Sequence, residues 1–287
     1  MITVNFFKKI ILMATAGVLL MSALASQAEH HDPRVSVQLW SVRDALKEDF
    51  EGTLKALSDM GFEAVEFARY FGPYEEDAKG LKALLDSLNL KVSGAHTSFD
   101  KVSPEAIEKT VAFYKTLGVD VLVVGWDTRA WDPDKVESLV SDLNAMAKAL
   151  KPYGMRAGFH NHNREFEPFG DTNFWDYIAG STDEDFVLQL DVGWVTYAGE
   201  DPIHYVHKYP GRTQTTHIKA KLPPGTENRL PFIGQDLTDW PAVIRAELAV
   251  GGTEWFVLEQ EDYPNGMTPL EAVRRSKVGL DKILAEL

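Results

Sequence analysis

Two histidines stand two residues apart in GFHNHNREFEP, residues 158–168. On a strand, His160 and His162 face one way and Asn161 the other. Three later apolar runs also finish in chemistry-bearing side chains. QLDVGW carries Asp191, THIKAK carries His217 and Lys219, and VLEQED carries Glu259 and Glu261. A lone buried carboxylate costs several kcal/mol or shifts its pKa until it is neutral. A divalent cation removes that cost by coordinating the charged groups. Imidazole nitrogen beside carboxylate oxygen suits Mn²⁺, Zn²⁺, Co²⁺ or Fe²⁺, with Mg²⁺ less favoured as the imidazole content rises. One of His160 and His162 is then a ligand, and the other faces the same cavity. Glu259 and Glu261 compete in the same way, since both face inward on one strand.

Each residue also has a plainer role open to it. Asp191 could cap a loop, His217 could be a hydrogen-bonded core histidine, and Lys219 could be solvated. Five further residues lie at the ends of other apolar runs: Gln38, Trp40, Glu66, His96 and Trp126. They are candidates for substrate contact. Trp40 and Trp126 either plug a cavity mouth or offer faces on which a sugar ring stacks. Glu66 either pairs with Arg69 or binds a hydroxyl.

Something must bring these scattered ends together. Eight apolar runs of strand length recur along the chain, at 35–40, 64–67, 91–96, 120–126, 155–162, 186–192, 215–221 and 254–261. They are rich in Val, Ile, Leu and Phe, as strands buried on both faces should be. Helical patterns separate them, at 49–60, 77–89, 103–117, 133–150, 173–180, 201–208 and 236–248, with 268–287 closing the series. Eight strand–helix pairs without a linker predict a single-domain α/β fold, a (β/α)₈ TIM barrel. An open doubly wound sheet is the alternative, but no GxGxxG follows Trp40. In a barrel the C-terminal strand ends converge on one face, which is where the residues above fall.

The formal charge is −14. So acidic a surface disfavours nucleic acid and anionic lipid as partners. Residues 1–28 read as a signal peptide: Lys8 and Lys9, an apolar stretch from Ile10 to Leu24, and small residues around Ala28. That stretch is short for a stable membrane anchor. The expectation is a periplasmic or secreted protein with the barrel over 29–287. There is no cysteine, so no disulfide. A monomer and an oligomer are both compatible with the sequence.

The chain resembles the xylose isomerase-like TIM-barrel superfamily, the sugar isomerase/epimerase group that also contains endonuclease IV-type repair enzymes. VQLWSVRD, AVEFARYFG, GAHTSF, FHNHNREF, QLDVGW, THIKAK and VLEQED carry the likeness, in order, over nearly the whole of 29–287. Its HNH-type members are labelled sugar phosphate isomerases, resemble inosose dehydratases, or act in the periplasm on 3-keto sugars. Epimerases of the group hold a divalent metal through Glu, Asp, His and Glu on strands five to eight. Carried over, the resemblance implies Asp191, His217 and Glu259, with His160 standing where the first Glu belongs. The two-base epimerisation that uses both glutamates is thereby put in doubt.

The implied activity is proton abstraction next to a sugar carbonyl, giving an enediolate. Glu259 or His162 would be the base, and Lys219 or His96 would steady the developing charge. Gln38, Trp40, Glu66, Trp126 and Glu261 complete the expected contacts to a small sugar or sugar derivative. Isomerisation or epimerisation is the first expectation. Elimination by a 3-keto-glycoside lyase/hydratase or an inosose-dehydratase-like lyase shares the first step. A non-catalytic sugar-binding barrel is the further alternative.

Overall fold

The computed structural model describes residues 34–287. The expected signal peptide, 1–28, lies outside the described residues. Eight parallel strands form the barrel: β1 Arg34–Gln38, β2 Ala64–Phe67, β3 Lys91–Thr97, β4 Val121–Val124, β5 Arg156–His160, β6 Val187–Gln189, β7 Thr215–Ile218 and β8 Trp255–Leu258. Their order is β6-β5-β4-β3-β2-β1-β8-β7. The circle closes between β6 and β7 through a single parallel bridge, Asp191 with His217. Backbone hydrogen bonds from Leu188 N to Arg212 O and from His217 N to Leu190 O, each 2.8 Å, flank it. The expected TIM barrel is therefore the observed fold.

The outer helices are α1 Phe50–Asp59, α2 Ala78–Ser87, α3 Ile107–Leu117, α4 Val136–Leu150, α5 Phe174–Gly180, α6 Pro202–Lys208, α7 Trp240–Ala246 and α8 Pro269–Leu284. Their starts are chemically marked. Asp49, Asp77 and Asp239 accept from the backbone N–H of Gly52, Gly80 and Ala242, satisfying donors at the first turn. At the other end of α3, Gly118 takes φ 82°, a left-handed stop that glycine adopts without a side-chain penalty. Leu54, Leu57, Leu81, Leu85, Leu139 and Leu143 line the inner helix faces and pack on the outward strand residues.

Strand alternation then decides what enters the barrel. On β7, Thr216 and Ile218 face outward while Thr215 and His217 face in; on β8, Trp255 and Val257 face in. Small apolar clusters, Ala64–Trp255–Val257 and Val121–Val123–Val187, fill the interior apart from the main core. The remaining interior is polar: Ser36, Gln38, Glu66, Ser93, Gln189, Thr215 and His217 are all buried.

Several element ends differ from expectation. Strands β5 to β8 stop earlier, at His160, Gln189, Ile218 and Leu258. After His160 a side chain takes over from the ladder: Asn161 Oδ1 accepts from Asp191 N at 2.9 Å, and Asn161 Nδ2 donates to Asp191 O at 3.3 Å. Short helices at Arg43–Glu48 and Val192–Ala198 were not anticipated. The first residues of the helices expected over 103–117 and 133–150 form turns, and α3 and α4 begin at Ile107 and Val136. Among the described residues no helix is long and apolar enough to cross a membrane.

Candidate metal centre

His160, Asp191, His217 and Glu259, from β5 and the ends of β6, β7 and β8, each offer one ligand atom, and these atoms lie within 4.8 Å of one another. All four residues are buried. His160 Nε2 is 3.7 Å from Asp191 Oδ2, and His217 Nδ1 is 3.9 Å from the same oxygen. Nδ1 of His217 also lies 3.0 Å from Glu259 Oε2. Asp191 Oδ1 accepts from Trp194 N at 2.8 Å and caps the helix Val192–Ala198. Its Oδ2 is buried with no hydrogen-bond partner among the described residues. A buried carboxylate oxygen with no hydrogen bond, facing two imidazoles and a second carboxylate with the Lys219 ammonium 3.5 Å away, is placed to coordinate a divalent cation. The buried cluster could bind a metal ion, and the donor set fits one.

Lys219 reaches into the same cluster. Its Nζ lies 3.2 Å from Glu259 Oε2 and 3.5 Å from Asp191 Oδ2, and it contacts Glu261 Oε2. The Trp194 ring lies 4.9 Å from this ammonium. Burial works against the charge of Lys219, but Glu259, Asp191 and Glu261 outweigh it and hold the group protonated. Burial likewise raises Glu259, yet Lys219 and His217 pull it well below the usual carboxylate range. Asp191 is pushed up to about 6, by burial first, with Glu259 adding to the rise and Lys219 opposing it. His217 is disfavoured as a cation by burial, but Glu66 and Glu259 raise it to about 10.

Around this lies a belt of hydrogen bonds. His217 Nε2 donates to Glu66 Oε2 at 2.6 Å, and Gln38 Nε2 donates to the same oxygen at 2.6 Å. Glu66 Oε1 accepts from Gln189 Nε2 at 2.7 Å. Gln38 and Glu66, expected among the substrate contacts, thus lie fully buried with their groups committed to each other, to His217 and to Gln189. His96 Nε2 donates to Gln189 Oε1 at 2.8 Å, and its ring stacks 5.6 Å from His217.

His162 falls past the end of β5, yet its ring lies 5.0 Å from that of His160. Trp126 meets it edge-on at 4.5 Å and Trp194 lies 5.5 Å away. Burial, reinforced by Lys219, lowers the His162 pKa to about 3. Nδ1 of His162 has no partner among the described residues. Trp40 and Trp126 are 45% and 56% exposed. Trp40 Nε1 donates to Glu261 Oε1 at 3.1 Å, which ties the loop after β1 to the loop after its neighbour β8 at the rim of the mouth.

Sequence reasoning passes over Gln189 and Trp194. Gln189 carried a usable signal, a polar residue two before Asp191 in the apolar run FVLQLDV and hence on the same strand face. Trp194 carried none, because its place depends on the short helix capped by Asp191.

A family profile described as xylose isomerase-like TIM barrel matches residues 54–281. An inosose dehydratase of Clostridium botulinum (strain Alaska E43 / Type E3) is 25% identical over 259 residues, covering 77% of this chain and 85% of the relative. A sugar phosphate isomerase/epimerase from Parabacteroides distasonis superposes with a TM-score of 0.71 at 21% identity, covering 89% of this chain and 96% of that one. A zinc-bound structure of IOLI protein superposes with a TM-score of 0.63 at 16% identity, over 88% of this chain and 98% of that one. The match to the family profile spans most of the barrel, and the chain belongs to the xylose isomerase-like TIM-barrel family.

Proposed function

We propose that the protein is a divalent-cation-dependent sugar isomerase or epimerase that removes the proton beside a substrate carbonyl. The observation that carries this is the convergence of His160, Asp191, His217 and Glu259 around Asp191 Oδ2, a buried oxygen that no hydrogen bond satisfies. A cation held by those four would polarise the carbonyl and acidify the neighbouring C–H. Two imidazoles in the donor set favour Zn²⁺, Mn²⁺ or Co²⁺ over Mg²⁺, and the zinc in the IOLI relative supports that order.

The chain's own groups supply the proton chemistry. Glu259 is the candidate base: Lys219 and His217 keep it ionised, and the same two groups lower its basicity. The Lys219 ammonium, fixed among three carboxylates, is placed to steady charge on the enediolate oxygen. His162 keeps an unpartnered Nδ1 between Trp126 and Trp194 and is the second candidate base, with burial and Lys219 holding its basicity low. Trp40 and Trp126 give the sugar two apolar walls at the mouth.

A second reading is elimination of a β-hydroxyl or β-alkoxyl after the same deprotonation. His160 stands where the resemblance expects a glutamate, which removes one of two facing carboxylate bases. The inosose dehydratase relatives support this reading. An exported protein, as residues 1–28 are read, would meet unphosphorylated sugars, and 3-keto sugars or their glycosides fit that setting.

Proton NMR of candidate keto-sugars in D₂O tests both. Deuterium incorporation beside the carbonyl, abolished by a chelator and restored by Zn²⁺ or Mn²⁺, is expected. An altered stereocentre or shifted carbonyl identifies the isomerase, and loss of an oxygen substituent identifies the lyase. Full metal occupancy with no exchange in any keto-sugar would leave a sugar-binding barrel.

A further inference from the structure

We propose that Gln189 is a positioning residue that fixes the ring tautomer of His160, so that Nε2 of His160 presents its lone pair to the cation site. The inference rests on the reading of the four donors as a metal centre. It concerns a residue outside that set.

The argument is one of donors and acceptors. Gln189 is fully buried, so its amide has no water to turn towards. One end lies 2.7 Å from Glu66 Oε1 and 2.8 Å from Thr215 Oγ1. An ionised carboxylate only accepts, so that end must be the NH₂. The opposite end, Oε1, then faces His96 Nε2 at 2.8 Å and His160 Nδ1 at 3.2 Å. A carbonyl oxygen donates nothing, so both rings must bring an N–H to it. A neutral imidazole has one N–H. His160 therefore carries its proton on Nδ1 and keeps the lone pair on Nε2, the nitrogen 3.7 Å from Asp191 Oδ2.

The same oxygen restricts a competing arrangement. His96, His160 and His217 form a second group of donors within 4.8 Å of one another. Nε2 of His96 is committed as a donor to Gln189, and Nε2 of His217 is committed as a donor to Glu66. Neither nitrogen has a lone pair to give. Gln189 and Glu66 thereby close the Nε2 positions of His96 and His217 to a cation and leave His217 only its Nδ1, which faces Asp191 and Glu259. Outer hydrogen bonds of this kind set ligand orientation, and losing one typically weakens metal binding by about 10–100-fold.

The test uses the metal-free chain, with ¹⁵N-histidine NMR to read ring tautomers and a His160→Gln variant to assign the His160 signals. The expected wild-type result is Nδ1–H at His160 and Nε2–H at His96. The nearly isosteric Gln189→Met is expected to erase the preference at His160 and to weaken Zn²⁺ affinity about 10–100-fold in a chelator competition. A wild-type His160 carrying its proton on Nε2 overturns the proposal without any variant. So does Gln189→Met with an unchanged His160 tautomer and Zn²⁺ affinity within about three-fold of wild type. If the wild type binds no Zn²⁺, the metal-centre reading fails, while the tautomer measurement still decides the role of Gln189.

Discussion

His217 is gripped by Glu66: Nε2 of the imidazole and Oε2 of the carboxylate are 2.6 Å apart, both fully buried, in residues 151 positions apart in the chain. With Nε2–H spent there, only Nδ1 of His217 turns towards Asp191 and Glu259. Glu66→Gln removes the charge but keeps the shape. The variant is expected to bind Zn²⁺ about 10–100-fold more weakly, read by chelator competition. Unchanged affinity would show that the pair is a packing feature alone.

Lys219 is a buried cation among three carboxylates. Lys219→Met leaves Asp191, Glu259 and Glu261 without it. The metal-free variant is expected to lose roughly 3–5 kcal/mol of stability in urea denaturation, as when one partner of a buried ion pair is removed. Saturating Zn²⁺ should restore much of that loss, because the cation replaces the missing charge. Turnover should remain down by about 10²–10³-fold if Lys219 steadies the enediolate. A metal-loaded variant with normal kcat removes it from the chemistry.

Trp126 is exposed, yet it is placed edge-on against His162 and packs at 5.0 Å on Trp131. If its free face carries the sugar, Trp126→Ala raises KM by about 10-fold, the worth of one aromatic contact. The unfolding midpoint should barely move, since the ring is half in solvent. A change in midpoint with no change in KM would make Trp126 a structural plug.

Away from the site, Glu247 is a buried carboxyl that accepts from Thr213 and Thr253 at 2.5 and 2.6 Å and from Thr216 at 3.0 Å. Burial outweighs the three hydroxyls and pushes it from 4.5 up to about 7. The folded chain thus holds this proton more tightly than the unfolded one. The stabilisation is complete below pH 4.5 and fades as the pH rises to about 7, a loss of roughly 3 kcal/mol. Urea denaturation at pH 5 and pH 8 checks it. The drop in Glu247→Gln should be smaller than in the wild type by about 2.5 kcal/mol, since part of the stabilisation is already gone at pH 5.

Much of this molecule was legible in its sequence because two periodicities are simple. Apolar runs separated by helical patterns identified all eight strands, and polar residues at the run ends marked the mouth of the barrel. The ends themselves were less legible. Where β5 stops is decided by Asn161 reaching Asp191 across the strand gap, a contact between residues 30 apart. Gln38 and Glu66 were visible as polar residues on inner strand faces. Their commitment to His217 and Gln189 was not, since hydrogen-bond partners across a barrel depend on its closure. Trp194 lay hidden for the same reason.

The seam between β6 and β7 has one further meaning. Every other neighbouring pair of staves shares a ladder of several residues, while this pair has one bridge, Asp191 with His217, and two backbone hydrogen bonds beside it. Those two residues are also half of the donor set. A cation bound there would be a clasp as well as a reagent, fastening the barrel at its thinnest seam. Amide exchange along 187–191 and 215–218 should be faster than elsewhere in the barrel and should slow when metal is added, whatever the substrate proves to be.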